Sequence, residues 1–422
     1  MTEEFLHYVW RYQLWDTPHL RTVDGQNLSV VSPGTQNSDA GPDFFNAKVR
    51  IGSTLWAGNV EIHLSGSDWE KHGHGDDSAY DNVVLHMVFR HDRQAVNRSG
   101  RPLPTLVAEG QLDSKVYKRY EDLQKNLWAP CSGRINRVDK LVVNNWLERL
   151  LVERLERKSA YIAKLLAHTN NDWAEAFYIA LAGNFGFSVN ALPFELLAKG
   201  LKQNILARHR NNLMQVESLL FGNAGMLERE FKDAYPRMLQ REYHILKEKY
   251  SLKPGEKHLW KYLRLRPGNF PTIRIAQFAA LISSSESLFS RVLDTGDVKK
   301  LHTFFRVCAS EYWSSHYTFD KPSPPRMKKL GDFAISTLLI NTVLPVKFLY
   351  GRSTGDEGCC ERAVDMIAQL PPENNTVIRK WQDFGITAGT ALQSQALLEL
   401  RKNYCVEKKC LNCAIGLKIL EQ

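Results

Sequence analysis

Three side chains in the N-terminal part of the 422-residue chain have the types and spacing to bind a divalent metal ion. Asp43 precedes a predicted strand, and Glu61 and His63 lie two residues apart in the next strand, where alternate residues share a face. Burying a carboxylate in a strand is costly, and a bound cation removes that cost. Mg²⁺ or Mn²⁺ held by Asp43 and Glu61 would activate water and neutralise charge on a phosphodiester, with His63 orienting the water.

A predicted β-hairpin brings these residues together. The dipeptide Gly-Ser at 52–53 predicts a two-residue turn between strands over 44–51 and 55–64. With that turn, position 43 faces position 62. An extra residue in the second strand, at the Gly-Asn dipeptide 58–59, would move Asp43 opposite His63. We therefore expect Asp43, Glu61 and His63 to converge at one spot.

The elements around the hairpin predict an α/β core. In chain order they are a helix over 3–15 ended by Thr17-Pro18, a strand over 27–31, a polar turn over 37–43, the hairpin, a short helix with Ser67 as N-cap, a buried strand over 82–90 and another over 104–109. From residue 141 onward the apolar spacing is helical. We place domains at 1–130 and 131–422, the second mainly α-helical and basic.

The order helix, strand, hairpin, short helix, strand resembles the PD-(D/E)xK nuclease superfamily. Gly41-Pro42-Asp43 stands before one strand of the hairpin and Glu61-Ile62-His63 in the next. The resemblance implies a mixed sheet with flanking helices, metal ligation by Asp43 and Glu61, and a glutamate from the first helix. Glu3 and Glu4 are the candidates for that glutamate, and we assign Glu4. His63 occupies the position of the family's lysine and does not necessarily carry a charge at pH 7, which bears on turnover.

Nearly the whole chain also resembles a bacterial family, found mainly in the Bacteroidetes, that is defined as a domain of unknown function. The segments that carry this resemblance are NSDAGPDF, GNVEIH, the histidine-containing stretch 67–74, NVVLHMVF and the C-terminal SQALLELRKNYCVEKKCLNCAIG. It implies a family and no activity.

Four histidines, His63, His72, His74 and His86, lie within 24 positions of the chain. The pair at 72 and 74 offers two imidazoles to Zn²⁺ or Mn²⁺. The glycines and aspartates beside that pair favour a solvated turn instead. His86 lies in an apolar run, which favours a core histidine unless the strand borders the metal site.

Three cysteines near the C-terminus, Cys405, Cys410 and Cys413, have the spacing C-x4-C-x2-C. Such spacing suits a zinc ion or an iron–sulfur cluster, with Cys131 as fourth ligand and the pair 359–360 as the alternative. Some PD-(D/E)xK nucleases carry a cluster held by one distant and three C-terminal cysteines, in a similar outline with different spacing. The competing interpretation is that the thiols pack as small apolar side chains.

The basic residues are concentrated in the second predicted domain. Residues 1–140 contain 16 Lys and Arg against 18 Asp and Glu, a net charge of −2. Since the whole chain carries +9, residues 141–422 carry +11. A basic excess attracts phosphate backbones, although it also solubilises helix faces. Arg264, Arg266 and Arg274 flank a Pro-Gly loop and are candidate nucleic-acid-binding residues, with capping of helix carbonyls as the alternative.

These observations predict a metal-dependent nuclease that acts on DNA or RNA. A nucleic-acid-binding protein with a degenerate nuclease fold and a His/Asp metal-dependent hydrolase of a small substrate are the alternatives. The N-terminal sequence has no signal-peptide pattern, and no run of about 18 apolar residues predicts a membrane span. We therefore expect a cytoplasmic protein without membrane contact.

Overall fold

The computed structural model describes residues 1–17, 19–37, 40–125 and 128–421, so Pro18, Ser38 and Asp39 of the predicted turns lie outside the described residues. The described chain divides into two compact units. The first comprises Met1–Trp146 with the C-terminal segment from Arg401, and the second comprises Leu147–Leu400. The sequence predicted one domain boundary, at residue 130. In the structure the chain passes from the first unit to the second after Trp146 and returns to the first at Arg401.

The first part of the chain contains a sheet with flanking helices. Its elements are α1 (Glu3–Tyr12), β1 (Leu20–Arg21), β2 (Asn27–Ser32), β3 (Thr35–Gln36), β4 (Phe44–Ile51), β5 (Thr54–Ser65), α2 (Asp68–Lys71), β6 (Val83–Arg90), β7 (Thr105–Val107) and α3 (Ser114–Gln124).

The rest of the chain is mainly helical, as predicted. Its elements are α4 (Lys140–His168), α5 (Trp173–Phe185), α6 (Phe187–Gly200), α7 (Gln203–His209), α8 (Leu213–Asn223), α9 (Ala234–Tyr250), α10 (Pro271–Ser284), α11 (Leu288–Asp294), α12 (Val298–Phe304), β8 (His316–Thr318), β9 (Lys321–Pro322), α13 (Asp332–Leu338), α14 (Leu344–Thr354), α15 (Glu357–Gln369), α16 (Thr376–Asp383), α17 (Ala391–Glu399) and α18 (Ala414–Glu421).

The sheet is mixed. Its described strands follow the order β1-β2-β4-β5-β6-β7, and β3 pairs with β4. β4 runs antiparallel to both β2 and β5, whereas β6 runs parallel to β5 and β7 parallel to β6. The parallel step requires a crossover between β5 and β6, which contains α2.

Helix α1 covers the apolar face of the sheet. Its side chains Phe5, Leu6, Val9 and Trp10 are at most 1% exposed, which is the spacing of a buried helical stripe. The Thr2 hydroxyl accepts a hydrogen bond from the Phe5 amide and caps the helix. Leu6 and Trp10 pack with alternate residues of β4, β5 and β6, so the intervening residues of those strands face the other way. The helix ends at Tyr12, three residues before the predicted end.

The hairpin register differs from the predicted one. Ile51 pairs with Thr54 as predicted, but the irregularity lies between Phe44 and Ala47 of β4 and not in β5. One extra residue in β4, where Asn46 adopts a left-handed φ of 57°, shifts Phe44 opposite Val60. Position 43 therefore lies opposite position 61, which brings the two carboxylate residues directly across from each other.

One helical stretch of the second unit is long and apolar enough to cross a membrane, by length and composition alone. It covers Asp332–Thr354, and 72% of its apolar window is buried inside the fold. Polar residues such as Asn341 and Lys347 interrupt this stretch, and the expectation that the chain has no membrane span stays a prediction. The burial of this stretch is what the core helix of a soluble protein also shows, so it is weak support for a membrane span.

Candidate metal centre

Asp43 and Glu61 are held together by hydrogen bonds to each other's strand. The Asp43 amide donates to Glu61 Oε2 at 3.1 Å, and the Ile62 amide donates to Asp43 Oδ2 at 2.9 Å. Glu61 is 4% exposed, whereas the Asp43 side chain is 21% exposed. The pair therefore joins a buried carboxyl group to one that solvent reaches.

Two histidines contact the second carboxyl oxygen of Glu61, and a third contacts one of those two. His63 Nε2 and His74 Nε2 lie 3.4 Å and 3.2 Å from Glu61 Oε1, and His72 Nδ1 lies 3.1 Å from His63 Nε2. One nitrogen from each of these histidines falls within 4.8 Å of the others. We call His63, His72 and His74 the histidine triad. Its geometry can hold a transition metal ion such as Zn²⁺ or Mn²⁺.

His86 orients the buried member of the triad. His86 Nε2 lies 2.9 Å from His63 Nδ1, and both side chains are at most 1% exposed. In the tautomer that carries the proton on His63 Nδ1, this N–H donates a hydrogen bond to His86 Nε2. The lone pair of His63 Nε2 then faces the other two histidines of the triad. Such a partner on the far nitrogen is typical of histidines that bind metal. The sequence predicted a core histidine here unless the strand bordered the metal site; His86 is fully buried, and it contacts a member of the histidine triad.

Aromatic rings fix the other histidines. The imidazole of His74 stacks on the Tyr80 ring with 3.8 Å between centroids, and Trp69 packs against both His74 and His86. Trp69 belongs to α2 and is 1% exposed. The short crossover helix thus closes the polar face of β5 and β6 with an aromatic wall. The predicted solvated turn is confirmed in part: the segment is a turn and His72 is exposed, but His74 is partly buried, and their imidazoles contact His63 and Glu61.

A second group of ligand atoms lies beside the first. Oxygen or nitrogen atoms of Glu3, His7 and Asp43 fall within 4.8 Å of one another, and His7 Nε2 is 3.2 Å from Asp43 Oδ2. We call these residues the helix triad. Among the described residues, the two triads are the groups with this close spacing of ligand atoms.

The helix carboxylate in this cluster is Glu3 and not Glu4. Consecutive helical residues point about 100° apart, and Glu4 is hydrogen-bonded to the Asn412 amide at 3.0 Å. His7 was missed by sequence reasoning. The signal for it was present, because Glu3 and His7 are four residues apart on the polar side of an otherwise apolar helix.

Burial controls the protonation of this cluster in the absence of a cation. Desolvation, with a smaller contribution from Asp43, raises the pKa of Glu61 to about 9. Desolvation and the neighbouring histidines lower the pKa of His63 to about 3 and that of His86 to about 4. Burial also raises the pKa of Glu3, and Asp43 adds to that effect. At pH 7 Glu61 therefore carries a proton and His63 is neutral.

The three predicted nucleic-acid-binding arginines do not form one exposed surface. Arg264 and Arg266 are exposed, but Arg274 lies in the first turn of α10 and is only 8% exposed. The Arg274 guanidinium donates to Gln277 and Asn269 and lies 4.6 Å from the centroid of the Phe187 ring. Arg274 is therefore a buried structural residue, because the predicted loop ends at Pro271 where the helix begins.

The four predicted cysteine ligands are all buried in the first unit. Cys131, Cys405, Cys410 and Cys413 line one small cavity. The alternative ligands, Cys359 and Cys360, lie in α15 of the second unit, where their thiols donate to the carbonyl groups of Lys347 and Phe348. The structure thus groups the C-terminal cysteines with Cys131.

Comparison with known proteins identifies a family. A family model described as "Protein of unknown function (DUF2851)" matches residues 3–376, which is nearly the whole chain. No curated protein and no solved structure matches the chain significantly.

Proposed function

For a chain that belongs to the DUF2851 family, we propose a divalent-metal-dependent phosphodiesterase that cleaves nucleic acid. The observation that carries this proposal is the reciprocal pairing of Asp43 and Glu61. It joins Asp43 of the helix triad to Glu61, whose carboxyl group contacts His63 and His74 of the histidine triad. Hydrolysis of a phosphodiester requires charge neutralisation and an activated water, and clustered carboxylates and imidazoles are the ligands of the ions that supply both.

The arrangement of elements supports the same proposal. Helix α1, the antiparallel strands β2, β4 and β5, the crossover with α2 and the parallel strand β6 follow the order of the PD-(D/E)xK core. In that comparison Asp43 and Glu61 are the metal ligands and Glu3 is the carboxylate of the first helix. We propose a nuclease-like fold for this unit on that basis.

The residues present fit a cation. Burial, with a smaller contribution from Asp43, raises the pKa of Glu61 to about 9, and a cation would replace the proton that Glu61 keeps. His63, His72, His74 and Glu61 would hold one ion. Glu3, His7 and Asp43 would hold a second or complete the shell of the first. A bound divalent ion would lower the pKa of a coordinated water and neutralise charge on the phosphate.

His63 does not substitute for the lysine of the nuclease pattern. The low pKa of His63 keeps the imidazole neutral at pH 7, so it cannot provide a lysine-like positive charge. A neutral imidazole with an available Nε2 suits a metal ligand instead. The exposed edge of the site, at the partly exposed Asp43, is where a phosphate would approach. Glu61 and His63 hold the buried side and exclude water there.

A second candidate is a metal-dependent hydrolase of a small substrate. The histidine triad favours it, because three imidazoles are the typical protein ligands of catalytic zinc. The two candidates differ in substrate size and in metal preference. A nucleic-acid-binding protein without turnover is the third outcome that the experiment must separate.

The test is incubation of the full-length protein with labelled single- and double-stranded DNA and RNA in Mg²⁺, Mn²⁺ or Zn²⁺, with EDTA as the blank. The small substrate bis(4-nitrophenyl) phosphate is assayed in parallel. We expect cleavage of a nucleic acid that EDTA and Asp43→Asn abolish and that Asp76→Asn, an exposed aspartate outside the triads, leaves unchanged.

The other outcomes decide between the candidates. Turnover of the small ester with no cleavage of nucleic acid would favour the hydrolase. Binding of nucleic acid without cleavage of any substrate in any metal would favour the binding protein. Cleavage that persists in Asp43→Asn would remove the carboxylate pair from the mechanism.

A further inference from the structure

Four buried cysteines from separate parts of the sequence meet in the first unit. Cys131 follows α3, Cys405 ends a π-helical turn, Cys410 begins a 3₁₀ turn and Cys413 precedes α18. Their exposed fractions are 6–7%. The described cysteines number seven, and these four share one location while the other three lie in the second unit.

The four thiols line a common cavity of about 10 Å³. The remaining lining comes from apolar and basic side chains, including Leu123, Pro130 and Lys409. The volume accommodates about one water-sized sphere, which is also the size of a single metal ion. The sulfur atoms surround the cavity and are not as closely spaced as the two triads, so a single ion would draw them inward by side-chain rotation.

Burial raises the pKa of Cys413, so its thiol keeps its proton in the absence of a metal. The backbone amides of Ile415 and Gly416, at the start of α18, approach this sulfur and partly offset that rise. Such donors stabilise the negative charge that a sulfur acquires when it binds a metal.

Gly416 allows the C-terminal helix to approach this closely. A Cβ atom at position 416 would lie 2.3 Å from the carbonyl oxygen of Cys410. The contact therefore holds the 3₁₀ turn with Cys410 against the first turn of α18. Burial raises the pKa of Cys405 and Cys410, and the cationic side chains of Arg401 and Lys408 near them would offset part of the negative charge of a four-thiolate centre.

We propose that Cys131, Cys405, Cys410 and Cys413 bind one thiophilic metal ion, of which zinc is the typical case. Each thiol releases its proton when it binds the metal, so four thiolates replace four buried thiols. The centre is structural, since the cysteines leave no position open for substrate. It fixes the C-terminal segment to the turn that contains Cys131, independently of catalysis at the carboxylates.

The experiment measures metal in the full-length protein after anaerobic purification. Zinc, iron and acid-labile sulfide are quantified, and visible absorption separates an iron–sulfur cluster from zinc. We expect about one zinc ion per chain in the wild type, whereas iron with equivalent sulfide would contradict a site for a single ion. The double variant Cys405→Ser/Cys413→Ser should lose this metal. Cys308→Ser, a cysteine of the second unit, should retain it.

The histidine triad must be separated from the cysteines in this measurement, because it can hold zinc as well. The variant His72→Ala/His74→Ala removes that contribution. Replacement of the metal by Co²⁺ gives thiolate-to-cobalt charge-transfer bands in the near ultraviolet only where sulfur ligates. We expect these bands in the histidine variant and their loss in the cysteine variant.

Equal metal content in the wild type and the cysteine variant, with no thiolate-to-cobalt bands, would overturn the proposal. If the cysteine variant does not fold, thiol reactivity of the wild type decides the question. Metal removal by a chelator should then expose four further thiols to a thiol reagent. Unchanged reactivity after chelation would overturn the proposal equally.

Discussion

The carboxylates of Asp43 and Glu61 are coupled through the backbone, because the Asp43 amide donates to Glu61 while Asp43 itself accepts from Ile62. Each carboxylate thus accepts a hydrogen bond from the backbone of the chain segment that carries the other. A change of charge at one residue alters the protonation of the other, since Asp43 helps to raise the pKa of Glu61. The two residues are therefore expected to respond as one unit to substitution and to metal.

Substitution of the buried carboxylate should separate chemistry from folding. We predict that Glu61→Gln lowers nuclease activity at least about 100-fold, because the amide keeps the shape and the hydrogen bond from Asp43 but not the charge. Binding of nucleic acid should remain within about twofold in a filter or polarisation assay. Asp76→Asn is the control for a surface charge. Wild-type cleavage by Glu61→Gln would contradict the role of Glu61.

The protonation of Glu61 predicts an unusual pH dependence of stability. In EDTA, folded Glu61 keeps its proton up to about pH 9, whereas the unfolded residue loses it near its ordinary pKa of 4.5. A raised pKa contributes stability that is lost as pH rises, by up to about 1.4 kcal/mol per pH unit in this window. We predict that the melting temperature of the metal-free protein falls between pH 6.5 and 8.5.

The same measurement on Glu61→Gln is the matched control, and its melting temperature should change much less over this range. Work below pH 6.5 is avoided because the lowered pKa values of His63 and His86 remove stability as pH falls there. Added Mn²⁺ should stabilise the wild type more at pH 8.5 than at pH 6.5. Identical pH profiles for the two proteins would show that Glu61 is ionised in the fold.

The histidines should determine the affinity for transition metals. We predict that His72→Ala/His74→Ala abolishes tight binding of Mn²⁺ or Zn²⁺ at this site in calorimetry. His86→Gln should weaken it about 10- to 100-fold by releasing the orientation of His63. His19→Ala, an exposed histidine of the same unit, is the control. Unchanged affinity in His86→Gln would identify His86 as a core residue only.

The arginines of the second unit should divide into two kinds. We predict that Arg264→Ala/Arg266→Ala weakens nucleic-acid binding and reduces the slope of log K against log salt by roughly 1.5, because two exposed cations are lost. Arg274→Ala should leave that slope unchanged and lower stability by about 1–3 kcal/mol, since it removes buried hydrogen bonds. A reduced slope in Arg274→Ala would contradict its structural assignment.

Apolar patterning was enough to predict the longer strands of the sheet, but not the two-residue strands β1 and β3. The strand over 44–51 coincides with β4, and those predicted over 55–64 and 82–90 differ from β5 and β6 by a single residue at one or both ends. The same patterning predicted the buried stripe of α1. These elements are governed by the local alternation of apolar and polar residues, which the sequence displays directly.

The irregularities of the strands were harder to assign. Gly58 does lie beside an irregularity, but that irregularity is in the pairing of β5 with the parallel strand β6 and not in the hairpin. A Cβ atom at Gly58 would lie 2.4 Å from Val84, beside the register shift between β5 and β6. A glycine in a strand indicates a close approach without telling which adjacent strand approaches. The convergence of His72 and His74 on Glu61 likewise depends on how the crossover folds back, which has no local signal.

The extra residue at Asn46 sets the phase between the two halves of the candidate site. Gly34, with a φ of +83°, packs directly against this bend, where a Cβ atom would lie 2.4 Å from the carbonyl oxygen of Phe45. Without this bulge, residues 44–46 would pair in the regular register and Asp43 would lie opposite Ile62, whose side chain belongs to the apolar core. The candidate ligands would all be present, yet the side chains of Asp43 and Glu61 would lie on opposite faces of the sheet. In this fold the spacing of the chain, as much as the identity of the candidate ligands, determines whether the two carboxyl groups meet.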